Sequence, residues 1–237
     1  MLADTIRSML FGLSDDHVIL EPRSGQLLHP EALVAFQRLC ADAQAAGFDP
    51  VIVSGFRSFD RQRVIWDGKA MGRRPLLDSS GEPMDISQLS PKQRVFAILR
   101  WSALPGASRH HWGTDFDLVD AGAMPEDYQP QLVPREVADE GFFGAFHRWL
   151  DEQIACGLSH GLFRPYGEDS GGIAPERWHL SYAPRARELE QLLTPENLRT
   201  LLQSCGLALC DTVCEHLQEI FVRFIRVPDH CYPQNHR

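Results

Sequence analysis

No stretch of this 237-residue chain approaches the ~18 consecutive apolar residues that a membrane-crossing helix needs. The first twenty positions also lack a basic start followed by an apolar run, because Asp4, Arg7, Asp15 and Asp16 interrupt them. No secretory signal is therefore expected, and the cytoplasm is the expected location. Positive charge is short as well: 23 Lys and Arg against 32 Asp and Glu leave a formal charge of −9 at pH 7. That balance argues against a phosphate backbone or an anionic membrane surface as the main partner, so neither nucleic acid nor membrane is expected. A small anionic substrate stays compatible with it, since one arginine can make a local positive pocket. The six cysteines contain no C-x-x-C pair. Cys40 and Cys156 stand alone, whereas Cys205, Cys210, Cys214 and Cys231 crowd the tail, where they read as reduced thiols in a helical packing surface; a structural zinc with His216 and His230 is the alternative. Internal repeats and low-complexity segments are absent too.

Two short segments far apart stand out: Ser108-Arg109-His110-His111-Trp112-Gly113-Thr114-Asp115-Phe116-Asp117 and Glu176-Arg177-Trp178-His179. A mononuclear catalytic zinc takes three protein ligands, keeps its fourth tetrahedral position for water, and needs a carboxylate nearby to accept that water's proton. His110, Asp117 and His179 can supply the ligands and Glu176 the base. The other histidines, His17, His29, His147, His160, His216, His230 and His236, sit in no ligand pattern and read as surface or hydrogen-bonded residues. His111 adjoins a ligand but points elsewhere, toward solvent or a supporting contact.

These segments, with Ser54-Gly55-Phe56-Arg57-Ser58 and the following Gln62, resemble the VanY-type D-alanyl-D-alanine carboxypeptidases of the lysostaphin, D-Ala-D-Ala metallopeptidase and Hedgehog superfamily. The three blocks fall in the family's order: an SGYRS-like block, SxHxxGxAxD and ExWH, over about residues 50 to 183. The resemblance implies a zinc peptidase acting on short peptidoglycan-type peptides that end in a D-amino acid, with Arg57 facing the substrate. One departure is visible, Asp115 where the family has a small apolar residue. On an extended segment Asp115 and Asp117 share a face, so Asp115 either binds a substrate amine, buttresses His110 or is a solvated carboxylate. Ser108 either holds polar groups of the substrate or shapes its loop, and Trp178 is expected to wall the site by packing. Against its family role, Arg57 has the alternative of a surface ion pair at a strand end.

The rest of the sequence gives an α+β pattern: a small antiparallel sheet carrying the zinc site, flanked by helices. Apolar positions Leu33, Phe36, Leu39, Ala43 and Ala46 recur at helical spacing after His29-Pro30, and Gly47 ends that helix. Val51-Ile52-Val53 reads as a buried strand. Ser58 caps a helix to about Ala70 that puts Gln62 and Trp66 on one face, Gln62 within reach of the substrate. Residues 72–89 form a long loop suited to shaping a pocket. A capping box at Ser90-Pro91-Lys92-Gln93 opens a helix that ends near Pro105-Gly106. Residues 121–134 are irregular, a helix spans about Phe142 to Cys156, and short strands fall at Leu162-Phe163 and Trp178–Tyr182. The Gly167–Gly172 loop between them either borders the substrate mouth or is a plain connection. Beyond Pro184 the character changes to a helical hairpin, from Thr194-Pro195 to Gly206 and onward from Asp211. The expected division is a catalytic unit, 1–190, and a helical appendage, 191–237, whose amphipathic stripe does not choose between internal packing and a dimer surface.

In the implied mechanism Glu176 takes a proton from the attacking water and returns it to the leaving amine, while Arg57 serves the oxyanion or the terminal carboxylate. A wall-degrading endopeptidase and a zinc-containing binding module are the alternatives. Retention of Glu176 with Arg57 speaks against the second.

Overall fold

A computed structural model describes residues 3–79 and 81–234, so Ser80 and His236 fall outside it. The elements in order are α1 (Asp4–Phe11), β1 (Ile19–Leu20), β2 (Leu27–Leu28), α2 (Pro30–Ala45), β3 (Pro50–Ser54), α3 (Phe59–Ala70) and α4 (Pro91–Trp101). Then come β4 (Asp115–Asp120), α5 (Pro134–Val137), α6 (Gly144–Ala155), β5 (Leu162–Phe163), β6 (His179–Tyr182), α7 (Ala183–Leu192), α8 (Pro195–Ser204), α9 (Cys210–Glu215) and α10 (Leu217–Ile220). The local signals explain several boundaries. Ser58 Oγ accepts from the Arg61 amide at the head of α3, Ser90 and Gln93 close a reciprocal capping box on α4, and Thr194 with Asn197 does the same on α8.

Four strands form one antiparallel sheet in the order β3-β4-β6-β5, and β1 with β2 makes a separate hairpin. Side chains alternate across β4 and β6 as the pleat requires. Phe116, Leu118 and Leu180 enter a core shared with Leu33, Phe36 and Leu39 of α2 and with Phe146 and Leu150 of α6. Asp115, Asp117, His179 and Ser181 therefore share the opposite face. Trp178, immediately before β6, packs with Val119, Val137 and Phe143 in a smaller cluster.

The largest core is helical. It joins Met9, Leu10 and Phe11 of α1, Trp66 of α3 and Ile98 of α4 to Leu198, Leu201, Val213, Leu217 and Phe221 in the C-terminal region. Helices on both sides of the expected 190/191 division thus contribute to one apolar cluster. That region runs as α8, then α9, α10 and a π-helical turn at Phe221–Ile225. Cys210 Sγ lies 3.9 Å from Cys214 Sγ, and His216 sets its ring against Phe96. The Gly167–Gly172 loop is tied down by two arginines, Asp169 by Arg100 and the Gly171 carbonyl by Arg223. Among the described residues no helix is long and apolar enough to cross a membrane.

Candidate active site

The sheet brings two of the three expected ligands side by side. Asp117 on β4 and His179 on β6 are cross-strand partners, and His179 Nδ1 lies 3.2 Å from Asp117 Oδ1. The third ligand arrives from the 3-10 turn Arg109–Trp112 that precedes β4, placing His110 Nε2 3.6 Å from Asp117 Oδ2. Gly113 ends that turn at φ 66, where a Cβ would come within 2.7 Å of the His29 backbone nitrogen. Only glycine fits so close an approach in the left-handed region. The ligand atoms of the trio all lie within 4.8 Å of one another, and among the described residues no other group of His, Cys, Asp and Glu can hold a metal ion.

The outer nitrogen of each ligand ring is occupied. His110 Nδ1 donates to the Gly55 carbonyl at 2.8 Å, and His179 Nε2 donates to Asp115 Oδ1 at 3.0 Å. Both rings thereby turn an unprotonated nitrogen inward, the tautomer that metal ligation needs. Asp117 Oδ1, buried, has no hydrogen-bond donor of its own. The inner nitrogen of His179 and the Asp117 oxygen need a cation between them, either a proton or a metal ion, and two imidazoles with a carboxylate are the nitrogen and oxygen ligands that zinc accepts.

Charge distribution agrees. Burial holds His110 neutral, down to about 4. Burial would raise the Asp117 carboxyl, but His110, His179 and Arg57 outweigh it and bring it to about 2. Burial would lower His179, yet Asp115 and Asp117 outweigh it and raise the imidazole to about 9 in the metal-free protein. A proton on Nδ1 then takes the metal's place. Glu176 sits with its carboxylate 3.8 Å from His179 Nδ1 and is not among the trio. Burial, with Asp117 adding to it, pushes this carboxyl up to about 7, against the pull of His179, Arg57 and Lys69. A carboxylate poised near neutrality suits reversible proton transfer.

Arg57 lines the same cavity, of about 720 Å³, together with Ser108, Trp178 and Glu176. Its guanidinium donates to Gln62 Oε1 and Ser54 Oγ, both at 3.0 Å and both neutral. The alternative of a surface ion pair is thus not what the structure holds. Gln62 is fully buried, spends its amide on the Ala103 carbonyl at 2.7 Å, and does not line the cavity; it supports Arg57 where direct substrate contact was expected. The same correction applies to Asp115. It does not line the cavity, is fully buried, and accepts from Arg109 Nε, Thr114 Oγ1, Ser181 Oγ and His179 Nε2. The solvated reading and the substrate-amine reading both give way, and the ligand it buttresses is His179, not His110. His111 is fully buried too: Gly106 N–H donates to its Nε2, which fixes the proton on Nδ1 and aims it at the Arg57 carbonyl, 2.6 Å away.

Lys69, Ser102, Arg109 and Tyr166 are among the cavity residues that carried no expectation. Tyr166 sets its ring 5.0 Å from that of His179, and its carbonyl receives the Glu176 amide at 2.9 Å. Arg109 was discoverable in principle, because a carboxylate at 115 on a buried strand demands a cation, and the adjacent block offers one. The others left no local signal.

The family model described as VanY, D-alanyl-D-alanine carboxypeptidase, matches residues 25–185. The chain belongs to this family. Within it, a 149-residue stretch covering 62% of this VanY-family chain is 26% identical to a D-alanyl-D-alanine carboxypeptidase of Enterococcus faecalis, of which it covers 44%. A shorter stretch of 99 residues, 40% of the chain, is 41% identical to an uncharacterized Haemophilus influenzae protein and covers 68% of it. Among solved structures, the LdcB LD-carboxypeptidase shares the fold at a TM-score of 0.50 and 19% identity, covering 88% of this chain and 78% of that one. The vancomycin-resistance D,D-pentapeptidase VanY, solved with Zn(II), aligns at 0.47 and 24% identity over 76% of this chain and 88% of its own. Membership of the VanY family makes the chain a peptidase of the carboxypeptidase-like kind.

Proposed function

We propose that this VanY-family chain is a zinc-dependent peptidase that hydrolyses short peptidoglycan-type peptides ending in a D-amino acid. The observation that carries the reading is the His110, Asp117 and His179 trio with a near-neutral Glu176 beside it on the cavity wall. When bound, the metal acidifies the attacking water and polarises the scissile carbonyl. The protein's own groups do the remainder. Glu176 accepts the water's proton, and the burial that raises its affinity for that proton keeps it available for delivery to the leaving amine. Arg57, braced by Gln62 and Ser54, presents a planar cation to the negative charge that develops on the carbonyl oxygen. Trp178 walls the site and keeps bulk water from the reacting atoms.

The test is one preparation assayed twice. Elemental analysis is expected to find one zinc per chain, lost in His110→Ala and in His179→Ala. A panel of peptides ending in D- or L-residues, with products read by mass spectrometry, is expected to show release of a C-terminal D-amino acid. Glu176→Gln should keep its zinc and lose roughly 10²-fold or more in turnover. Full metal in both histidine variants, or wild-type turnover in a metallated Glu176→Gln, would refute the reading.

A further inference from the structure

Of the 23 basic residues in the chain only two are lysines, Lys69 and Lys92. Lys92 is at the surface, 3.9 Å from Glu219. Lys69, on the last turn of α3, lines the catalytic cavity. Its ammonium donates to Ser102 Oγ at 2.6 Å, and Ser102 in turn donates to the Trp101 carbonyl at 2.7 Å. No carboxylate among the described residues pairs with it, and Glu176 is the acid whose charge it feels most. An ammonium has three donors, and one is used on a neutral oxygen. Burial without a counter-ion pushes the group down to about 8. Its other two donors have no protein acceptor among the described residues, and in the cavity that Lys69 lines an entering anion can take them.

The segment after α4 aims two cations into one cavity. Ala103 holds Gln62, which holds Arg57, while the neighbouring Ser102 holds Lys69. The two anchors, Ser102 and Ala103, are adjacent in the chain, so one stretch of cavity wall holds both cations. Arg57 lies at the metal trio, its amide bonded to the His110 carbonyl at 3.1 Å. One cation beside the metal trio and a second held on Ser102 in the same cavity match a substrate with two negative positions.

We infer that Lys69, seated on Ser102, forms a subsite for a carboxylate of the bound peptide, distinct from the charge that Arg57 handles. The inference rests on the peptidase reading and extends it to how the substrate is held. The carboxylate is either the peptide's own C-terminus or an acidic side chain within it.

Three synthetic peptides of one sequence separate these sources: both carboxylates free, the C-terminus amidated, and the acidic side chain amidated. Against the free peptide, zinc-loaded Lys69→Met is expected to raise KM roughly tenfold or more with a much smaller change in kcat, and Lys69→Arg to recover most of it. The penalty should vanish on one amidated peptide, which names the source. An equal penalty on all three, or none, overturns the subsite. A second measurement avoids the substitution altogether. In reductively 13C-methylated, zinc-loaded Glu176→Gln, the Lys69 resonance should titrate at higher pH once the free peptide is bound, and an unmoved midpoint overturns the inference. If the wild type cleaves none of the peptides the peptidase reading fails, and the resonance still decides whether Lys69 meets a carboxylate.

Discussion

Asp115 is where the chain departs from the pattern it resembles, and the added carboxylate ends on His179, one of the three candidate ligands. It fixes which nitrogen of His179 faces inward and makes that nitrogen a better donor. Asp115→Asn should therefore cost roughly 10- to 100-fold in zinc affinity, measured by chelator competition, and should also lower the melting temperature, because the buried Arg109 loses its nearest carboxylate. The proton on metal-free His179 sets the pH dependence. Between about pH 9 and about pH 4 one proton must leave His179 for zinc to bind, so affinity should fall about tenfold per pH unit on acidification, and more steeply below about 4, where His110 also protonates. The stability of the metal-free protein runs the other way. A pKa raised above the usual imidazole value contributes stability that is fully present below about 6.5 and is lost as pH rises through about 9. An affinity that stays flat from pH 8 to 6 would contradict this account. Arg57→Lys, which keeps charge but loses the two-pronged geometry, should lower kcat with zinc retained. The trio, Glu176 and Arg57 were legible because each lies in a short block whose residue types match one chemistry. The partner of Asp115 was not. His179 lies diagonally across the β4–β6 ladder from it, and that neighbourhood exists only once the register Asp117↔His179 is known.

Elements with a signal inside one turn of chain were legible to within a few residues. The α4 start is the clearest case: Ser90 Oγ accepts the Gln93 amide and Gln93 Oε1 accepts the Ser90 amide, a reciprocal pair three residues apart. Ser90→Ala should cost about 1 kcal/mol in urea unfolding of the metal-free protein, with no effect on zinc content. Helix α7 went unread because Pro184 looks like a stop, whereas at the first turn of a helix its missing N–H costs nothing. The β1–β2 hairpin is two residues per strand and has no periodicity to read. The setting of the Gly167–Gly172 loop was not legible for a different reason: its glycines announce a turn, but Arg100 and Arg223, far away in sequence, hold that turn in place.

At the scale of the molecule, the metal site and the C-terminal region are one hydrogen-bonded structure. Behind His179, Asp115 holds Arg109; Arg109 reaches Tyr232 OH at 3.2 Å and lies 3.6 Å from Glu190. Glu190 accepts the Val227 amide and the Tyr232 hydroxyl, both at 2.7 Å. Deleting the chain after Arg226 would take two donors from the buried Glu190 and one acceptor from the buried Arg109, a destabilising change. The truncated protein should melt several degrees lower and bind zinc more weakly than the full chain, measured by calorimetry and chelator competition; equal values for the two would show the tail to be dispensable. The same chain of contacts sets an order of events during synthesis. Ribosomes release the chain from its N-terminus, so Val227 and Tyr232, which complete the frame behind His179, emerge after both histidines and both aspartates. A nascent chain holding both histidines and both aspartates still lacks the brace that orients one of them. If the trio takes zinc as proposed, tight capture waits for Val227 and Tyr232, and a nascent chain stalled before them should be a poor competitor for the metal.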